Sequence, residues 1–386
     1  MTSLFANANL TAAEFLRDYW QTKPLLLRQA FPGFEPELDP DDIAGLACDE
    51  LAESRLVTGR HPEGPWTVRY GPFEEADFAD LPERDWTLLV QDVEKHYPPL
   101  RALLSHFDFL PSWRIDDLMA SVAAPGGSVG PHVDQYDVFL LQASGRRRWQ
   151  IAQRFDPALL AGCELNVLRH FEPEQEWLLE PGDLLYLPPG VAHFGVAEDC
   201  PRETPPCMTW SIGMRAPSAA DLLQSYAEWL TEAGDEGGRY RDPDLAAPPD
   251  PARIDPHAIE RLQGLARSAL DRADRWPRFL GAFLSSYRLA LQPAPPERAL
   301  QPGELRDLLQ AGGRLLPHPW TRLLWLPREG GAWLFAAGAE WACAEQIARA
   351  VCDPAGLDAA RVPELEAAQD LLCALVNRGH LVVETV

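Results

Sequence analysis

The chain of 386 residues lacks several of the features that would place it in a specialised class. Its seven cysteines, at 48, 163, 200, 207, 343, 352 and 373, are an odd, scattered set without a CxxC pair. That spacing argues against a disulfide framework or a zinc site and points to a reducing cytoplasm. No apolar stretch approaches the length of a membrane span. The opening Met1-Thr2-Ser3-Leu4-Phe5-Ala6-Asn7 has no basic region leading into an apolar run, so no signal peptide is expected. Positive charge is scarce: 34 Lys and Arg stand against 58 Asp and Glu, a formal net charge of -24. An acidic surface repels phosphate backbones, which makes free nucleic acid a poor target. It attracts a basic protein and speeds the encounter.

What is present reads as an ordinary globular protein with room for two or three domains. Residues 11–20 form a capped amphipathic pattern, predicting a helix with Phe15, Leu16 and Tyr19 inward. Lys23–Arg28 reads as an edge strand. From about 56 to 215 short strands alternate with Gly/Pro turns, the pattern of a β-barrel or sandwich. After Ser218 the period turns helical over 218–233 and 256–292, with a Gly/Asp/Pro-rich linker at 234–251 between them. Beyond Pro293-Ala294-Pro295-Pro296 the order is a helix from Pro302, strands at 321–326 and 332–337, helices at 344–351 and 364–378, and a last strand at 381–384. That order fits a small winged-helix-like domain, and its negative character argues against DNA binding.

The chemistry rests on histidine. His-x-Asp/Glu occurs four times: His61–Glu63, His106–Asp108, His132–Asp134 and His170–Glu172. Three of these are incidental on the following grounds. Only His132 follows a glycine-rich turn (Gly126-Gly127-Ser128-Val129-Gly130) and precedes a strand-like run, Gln135–Gln142. In a strand alternate residues share a face, so His132, Asp134, Tyr136, Val138 and Leu140 all point one way, two ligands followed by apolar lining. About sixty residues on, Glu180-Pro181-Gly182-Asp183 is a tight turn. A short strand, the turn Pro188-Pro189-Gly190 and His193 follow. Two histidines and one carboxylate on one face of a metal form the facial triad of non-haem iron(II) oxygenases, which leaves positions open for a cosubstrate and dioxygen. In this reading the strand carrying His132 and Asp134 faces His193 across the barrel.

Between the ligands lies Gly145-Arg146-Arg147-Arg148-Trp149-Gln150-Ile151. Alternation puts Arg147 with Trp149 and Ile151 on the interior face and sends Arg146, Arg148 and Gln150 to solvent. A lone inward arginine is a buried charge in need of an anion. Its planar fork suits a carboxylate, which makes Arg147 the candidate clamp for a dicarboxylic cosubstrate. An internal ion pair is the alternative.

These words, together with Trp113-Arg114-Ile115-Asp116-Asp117-Leu118-Met119, Gly130-Pro131-His132-Val133-Asp134-Gln135-Tyr136-Asp137-Val138-Phe139 and Arg215-Ala216-Pro217, resemble the JmjC-type iron(II)/2-oxoglutarate oxygenases. More narrowly, they are similar to the bacterial ribosomal oxygenases of the YcfD/RoxA type, over nearly the full length. The resemblance implies an α+β fold: a double-stranded β-helix (JmjC/cupin-type barrel) over 1–217, a helical dimerisation region over 218–292 and a winged-helix-like domain over 293–386. It implies Fe(II) on His132, Asp134 and His193, with O2 and 2-oxoglutarate as cosubstrates and Arg147 and Ser121 as cofactor-binding residues. Asp117, Tyr136 and Ser211 become the expected substrate contacts, although a barrel-lining role suits each of them equally. The implied reaction is hydroxylation of an arginine β-carbon in a basic large-subunit ribosomal protein, the L-sixteen protein, by a cytoplasmic homodimer. The alternatives are a JmjC histidine hydroxylase or demethylase, or a non-catalytic metal-binding cupin scaffold. Two departures stand out: Val133, where relatives often carry Leu, and a longer Ala197–Pro206 segment at the expected site rim.

Overall fold

The computed structural model describes residues 4–385 except 63, 200–204, 235–237, 248–249, 287–292 and 362–364. Half of the Ala197–Pro206 segment therefore lies outside the described residues, as do parts of the expected 234–251 linker and the end of the expected helical stretch 256–292. The chain divides into two compact units, 1–216 and 217–386.

The first unit is built from twelve described strands: β1 Leu25–Leu27, β2 Ser54–Thr58, β3 Thr67–Tyr70, β4 Trp86–Val90, β5 Ile115–Ala123, β6 His132–Val133, β7 Val138–Ser144, β8 Arg147–Ala152, β9 Gln175–Leu179, β10 Leu184–Leu187, β11 Ala192–Ala197 and β12 Cys207–Met214. They form an eight-stranded sheet, ordered β1-β10-β7-β12-β5-β4-β2-β3, and a four-stranded sheet, ordered β6-β11-β8-β9. The two sheets share one interior cluster. Val138, Leu140, Leu185 and Leu187 come from the larger sheet, and Trp149, Ile151 and Leu179 from the smaller. This is the expected double-stranded β-helix. The larger sheet is buried on both faces, so β7 and β10 are apolar nearly throughout rather than alternating.

On its outer face Leu118, Ala120, Phe139, Leu141, Trp210 and Ile212 pack against the N-terminal helices. The helix Ala12–Asp18 is capped as its sequence predicts, Thr11 and Glu14 exchanging hydrogen bonds in a capping box. Phe15 is fully buried and meets Tyr186 edge-on at 4.9 Å. Leu16, expected inward, is 38% exposed. Adjacent helical positions point about 100° apart, and a seven-residue helix turns only a narrow stripe inward. β1 is the edge strand expected near residues 23–28.

One expectation fails in an instructive way. His132 and Val138 do not belong to a single strand. β6 ends at Val133 in the smaller sheet, the chain bends over 134–137, and β7 begins in the larger sheet. The bend is fastened from both sides: the Gly190 N–H donates to the Asp134 carbonyl (2.8 Å) and the Met214 N–H to the Asp137 carbonyl (2.9 Å). Face-sharing by alternation therefore stops at the bend. A second correction follows from the register. β6 pairs antiparallel with β11, His132 opposite His193, so the ligand strands are neighbours in one sheet rather than opposed across the barrel.

In the second unit the helical pattern resolves into helices Ala219–Glu232, Pro256–Leu270 and Trp276–Ser285, the last two separated at 271–275. Tyr226, Trp276 and Phe279 form their aromatic contact. A helix Pro302–Gln310 then leads into β13 Arg314–Pro317, β14 Leu323–Arg328, β15 Gly331–Ala336 and β16 Ala339–Cys343. Helices Glu345–Val351 and Leu365–Asn377 and a last strand, β17 Leu381–Glu384, complete the unit. β14-β15-β16 form a meander, and β13 pairs with β17. The sequence pattern does not reveal β13 and β16: one is four residues closed by a proline, the other is rich in alanine and glutamate, poor strand formers. Among the described residues no helix is long and apolar enough to cross a membrane.

Candidate active site

Among the described residues the only cluster of metal-ligating groups is His132, Asp134 and His193, whose ligand atoms lie within 4.8 Å of one another. The β6–β11 pairing sets the two imidazoles side by side, ring centroids 4.2 Å apart. Asp134, the first residue of the bend, turns its carboxylate back toward both. Its oxygens stand 3.9 Å from His132 Nε2 and 3.7 Å from His193 Nε2. Each Nδ1 is engaged by a backbone carbonyl: His132 with Gly130 (2.9 Å) and His193 with Val191 (3.1 Å). Those bonds place the remaining protons on Nδ1 and leave both Nε2 lone pairs free for a metal. Burial and the neighbouring His132 lower the His193 pKa to about 4, so the imidazole is in the neutral form that ligates. Two imidazoles and one carboxylate, with the rest of the coordination sphere unfilled by protein, fit iron(II).

The smaller sheet supplies the adjoining wall. Arg147, Trp149 and Ile151 face inward, as alternation requires. Outside, Arg148 pairs with Glu176 and Glu198. Arg147 is 3% exposed, and its Nε and Nη2 are buried without a hydrogen-bond partner. An internal ion pair would have filled those positions. Trp149 lies between the clamp and the ligands, 5.8 Å from the Arg147 guanidinium and 5.9 Å from the His193 ring. It can sit there because residue 195, opposite it on β11, is glycine: a Cβ at 195 would come within 2.7 Å of the indole.

The larger sheet carries the other predicted residues. Asp117 and Ser121 share the inner face of β5, opposite Gly213 and Thr209 of β12, with Ser211 between these two. Ser121 donates to the Thr209 carbonyl (3.2 Å), and Ser211 is buried. Asp117 Oδ2 is buried without a partner, and burial reinforced by Glu94 raises its pKa to about 8. A Cβ at Gly213 would stand 3.0 Å from Asp117 Oδ1, so the glycine leaves room beside the carboxyl. Tyr136 is the exception to the predicted set. It lies in the bend between β6 and β7, outside both strands, and is 41% exposed.

Among the described residues the look-alike motifs build nothing comparable, and Glu63 of the first lies outside them. His61 packs on Phe194 and His106 on Phe31, while His170 is exposed. Sequence reasoning did miss Asp137. It is completely buried and accepts hydrogen bonds from Tyr186 Oη (2.6 Å), Gln21 Nε2 (2.9 Å) and Arg114 Nη2 (2.8 Å). It thus anchors the bend that follows Asp134. The available signal was a lone acid at the head of an apolar run, Asp137-Val138-Phe139-Leu140-Leu141.

Comparison with known proteins agrees with this geometry. Residues 102–222 match the JmjC domain and residues 268–382 the ROXA-like winged helix. The chain is 38% identical to the ribosomal protein uL16 3-hydroxylase of Escherichia coli, over 81% of each chain. It is 32% identical to a probable ribosomal oxygenase of Haemophilus influenzae over 97% of both. A solved structure of the E. coli ribosomal oxygenase YcfD, in complex with cobalt and 2-oxoglutarate, superposes with a TM-score of 0.84 at 36% identity, covering 97% of this chain and 98% of that one. The chain belongs to the JmjC-domain ribosomal oxygenases, with a double-stranded β-helix followed by a ROXA-like winged helix.

Proposed function

We propose that this protein is an iron(II)- and 2-oxoglutarate-dependent hydroxylase that adds one oxygen to the β-carbon of an arginine in ribosomal protein uL16. One observation carries the proposal: a buried, unpartnered Arg147 on the same inner face as the two-histidine, one-carboxylate cluster. The similarity to the E. coli uL16 3-hydroxylase supports the substrate, and the E. coli YcfD complex with cobalt and 2-oxoglutarate supports the cosubstrate.

His132, Asp134 and His193 hold the metal in this reading. When bound, iron(II) and 2-oxoglutarate supply the oxidising chemistry, with O2 consumed and succinate and carbon dioxide released. The protein's own part is positioning. Arg147 holds the distal carboxylate of the cosubstrate in a fork that replaces its missing hydrogen bonds. Trp149 excludes water between clamp and ligands, and Ser121 borders the cosubstrate. Asp117 receives the substrate guanidinium, Ser211 lines the same pocket, and Tyr136 stands exposed at the bend, where it can meet the incoming peptide. A buried carboxyl lacking a partner suits a guanidinium better than a neutral imidazole, which favours arginine over histidine. The strongly acidic chain would attract a basic ribosomal protein. The helices of 218–292 are the proposed dimerisation region of a cytoplasmic homodimer, and the 293–386 region the winged helix.

The test is anaerobic reconstitution with iron(II), followed by intact-mass analysis of a basic uL16 fragment incubated with 2-oxoglutarate and oxygen. The expected result is a gain of one oxygen on an arginine, lost in His132→Ala and in Arg147→Ala. Folded, iron-loaded protein that forms neither product nor succinate would overturn the proposal.

A further inference from the structure

The edge of β5 below Ala120 is left without a strand. β4 pairs with β5 only from Val90 opposite Ala120 to Thr87 opposite Ala123. The chain then enters the short helix Val93–His96, whose side chains take over the vacant edge. The Glu94 carboxylate accepts the Leu118 N–H (2.9 Å), and Lys95 Nζ donates to the Asp116 carbonyl (3.4 Å). Lys95 also bonds Asp92 and lies 3.6 Å from Glu94. All three are nearly inaccessible: Asp92 is 5% exposed, Glu94 3% and Lys95 5%. They grip β5 on both sides of Asp117. Lys95 is one of only two lysines in the chain, the other being Lys23. A compact ammonium, rather than the arginine used almost everywhere else, fits between two buried carboxyls.

The charges do not balance. Asp92, Glu94 and Asp117 are three carboxyls, and among the described groups that bear on Asp117 the single cation is Lys95; burial lowers the pKa of His96, next on the helix, which favours its neutral form. Asp116, on its own strand, adds further negative potential, and opposite Asp117 β12 presents only Gly213. We propose that Asp92, Glu94 and Lys95 are positioning residues that hold the Asp117 pocket one cation short, so that a substrate guanidinium completes the network and displaces a proton from it. This rests on the arginine reading above. Glu94 also has its pKa raised by burial, in keeping with a proton shared within the cluster.

The test is titration calorimetry under anaerobic conditions with iron(II) and 2-oxoglutarate, in two buffers of different ionisation enthalpy. A uL16 arginine peptide and its citrulline counterpart are compared. Wild-type protein should release a substantial fraction of a proton on binding the arginine peptide near pH 7, and none with citrulline. Glu94→Gln, which keeps the acceptor for Leu118, should shift the release to lower pH. Lys95→Gln should shift it to higher pH, and Asp117→Asn should abolish it. In turnover the first two variants should move the pH profile and the peptide KM more than kcat. Arginine-peptide binding without proton release, or release unchanged in whichever of the two variants folds, overturns the network while leaving the arginine reading intact. Equal binding of citrulline and arginine peptides overturns the arginine reading itself.

Discussion

Two buried aspartates twenty residues apart divide scaffold from site. Asp137 has a full complement of donors from Tyr186, Gln21 and Arg114, and it ties the N-terminal segment, the start of β5 and β10 to the bend after Asp134. Asp117, on the inner face of the same sheet, keeps one oxygen without a partner and a pKa raised to about 8. The arginines repeat the contrast. Arg114 is paired with Asp137 at 2.8 Å and keeps only its Nε without a hydrogen-bond partner, whereas Arg147 points both Nε and Nη2, unpartnered, at the interior. A buried polar group that is satisfied stabilises the fold, and one left unsatisfied lowers stability until a ligand arrives. The protein keeps the first kind at its corner and the second on its inner wall, beside the metal ligands.

The largest way to break this contrast is at the metal. His132→Ala or Asp134→Ala should abolish hydroxylation and iron binding, measured by product mass and by metal content after dialysis, while the fold persists. At the corner the effect should be on stability instead. Asp137→Ala leaves the partly buried Arg114, with Tyr186 and Gln21, without its acceptor and should cost about 3 kcal/mol in urea unfolding. The mirror change, Arg147→Met, removes a charge that has no partner in the free protein. Apo stability should hold or rise, while 2-oxoglutarate binding is lost. Loss of apo stability comparable to that of Asp137→Ala would erase the distinction.

Smaller effects sharpen it. Gly195→Ala drives a methyl into the Trp149 indole and should cost about 1–3 kcal/mol, with a raised KM for 2-oxoglutarate. Asp117→Asn should change the pH dependence of folding. A carboxyl with a folded pKa near 8 retains its proton in the native state where the unfolded chain, near pKa 3.9, has lost it. Its contribution is therefore most favourable below about pH 4, fades as pH rises, and is fully lost above about 8. Compared with wild type, Asp117→Asn should gain stability from pH 5 to pH 8, read by urea midpoints across that range.

Much of this was legible from residues alone. Strand parity selected Arg147 from three consecutive arginines, because Trp149 and Ile151 mark the inner face of an unbroken strand. Turn chemistry located His193 after the Pro181-Gly182 turn, in which Gly182 does adopt a positive φ. The same parity does not extend to Tyr136, since alternation carries no information across a bend and the bend is fixed by distant partners, Gly190 and Met214. Asp92, Glu94 and Lys95 were invisible for a related reason. A run of charges beside a turn looks like solvated surface, and only the early end of β4 brings it into the interior to complete β5. The neighbouring placement of β6 and β11 likewise depends on sheet order, which local pattern does not encode.

The central claim is that the unsatisfied Arg147 is the cosubstrate's half of the site. It is tested most directly by equilibrium dialysis of 2-oxoglutarate against anaerobic, iron(II)-loaded wild-type protein and Arg147→Met. The account predicts one 2-oxoglutarate retained per wild-type chain and none by the variant, with iron still bound to both. Equal retention by the two proteins would contradict it.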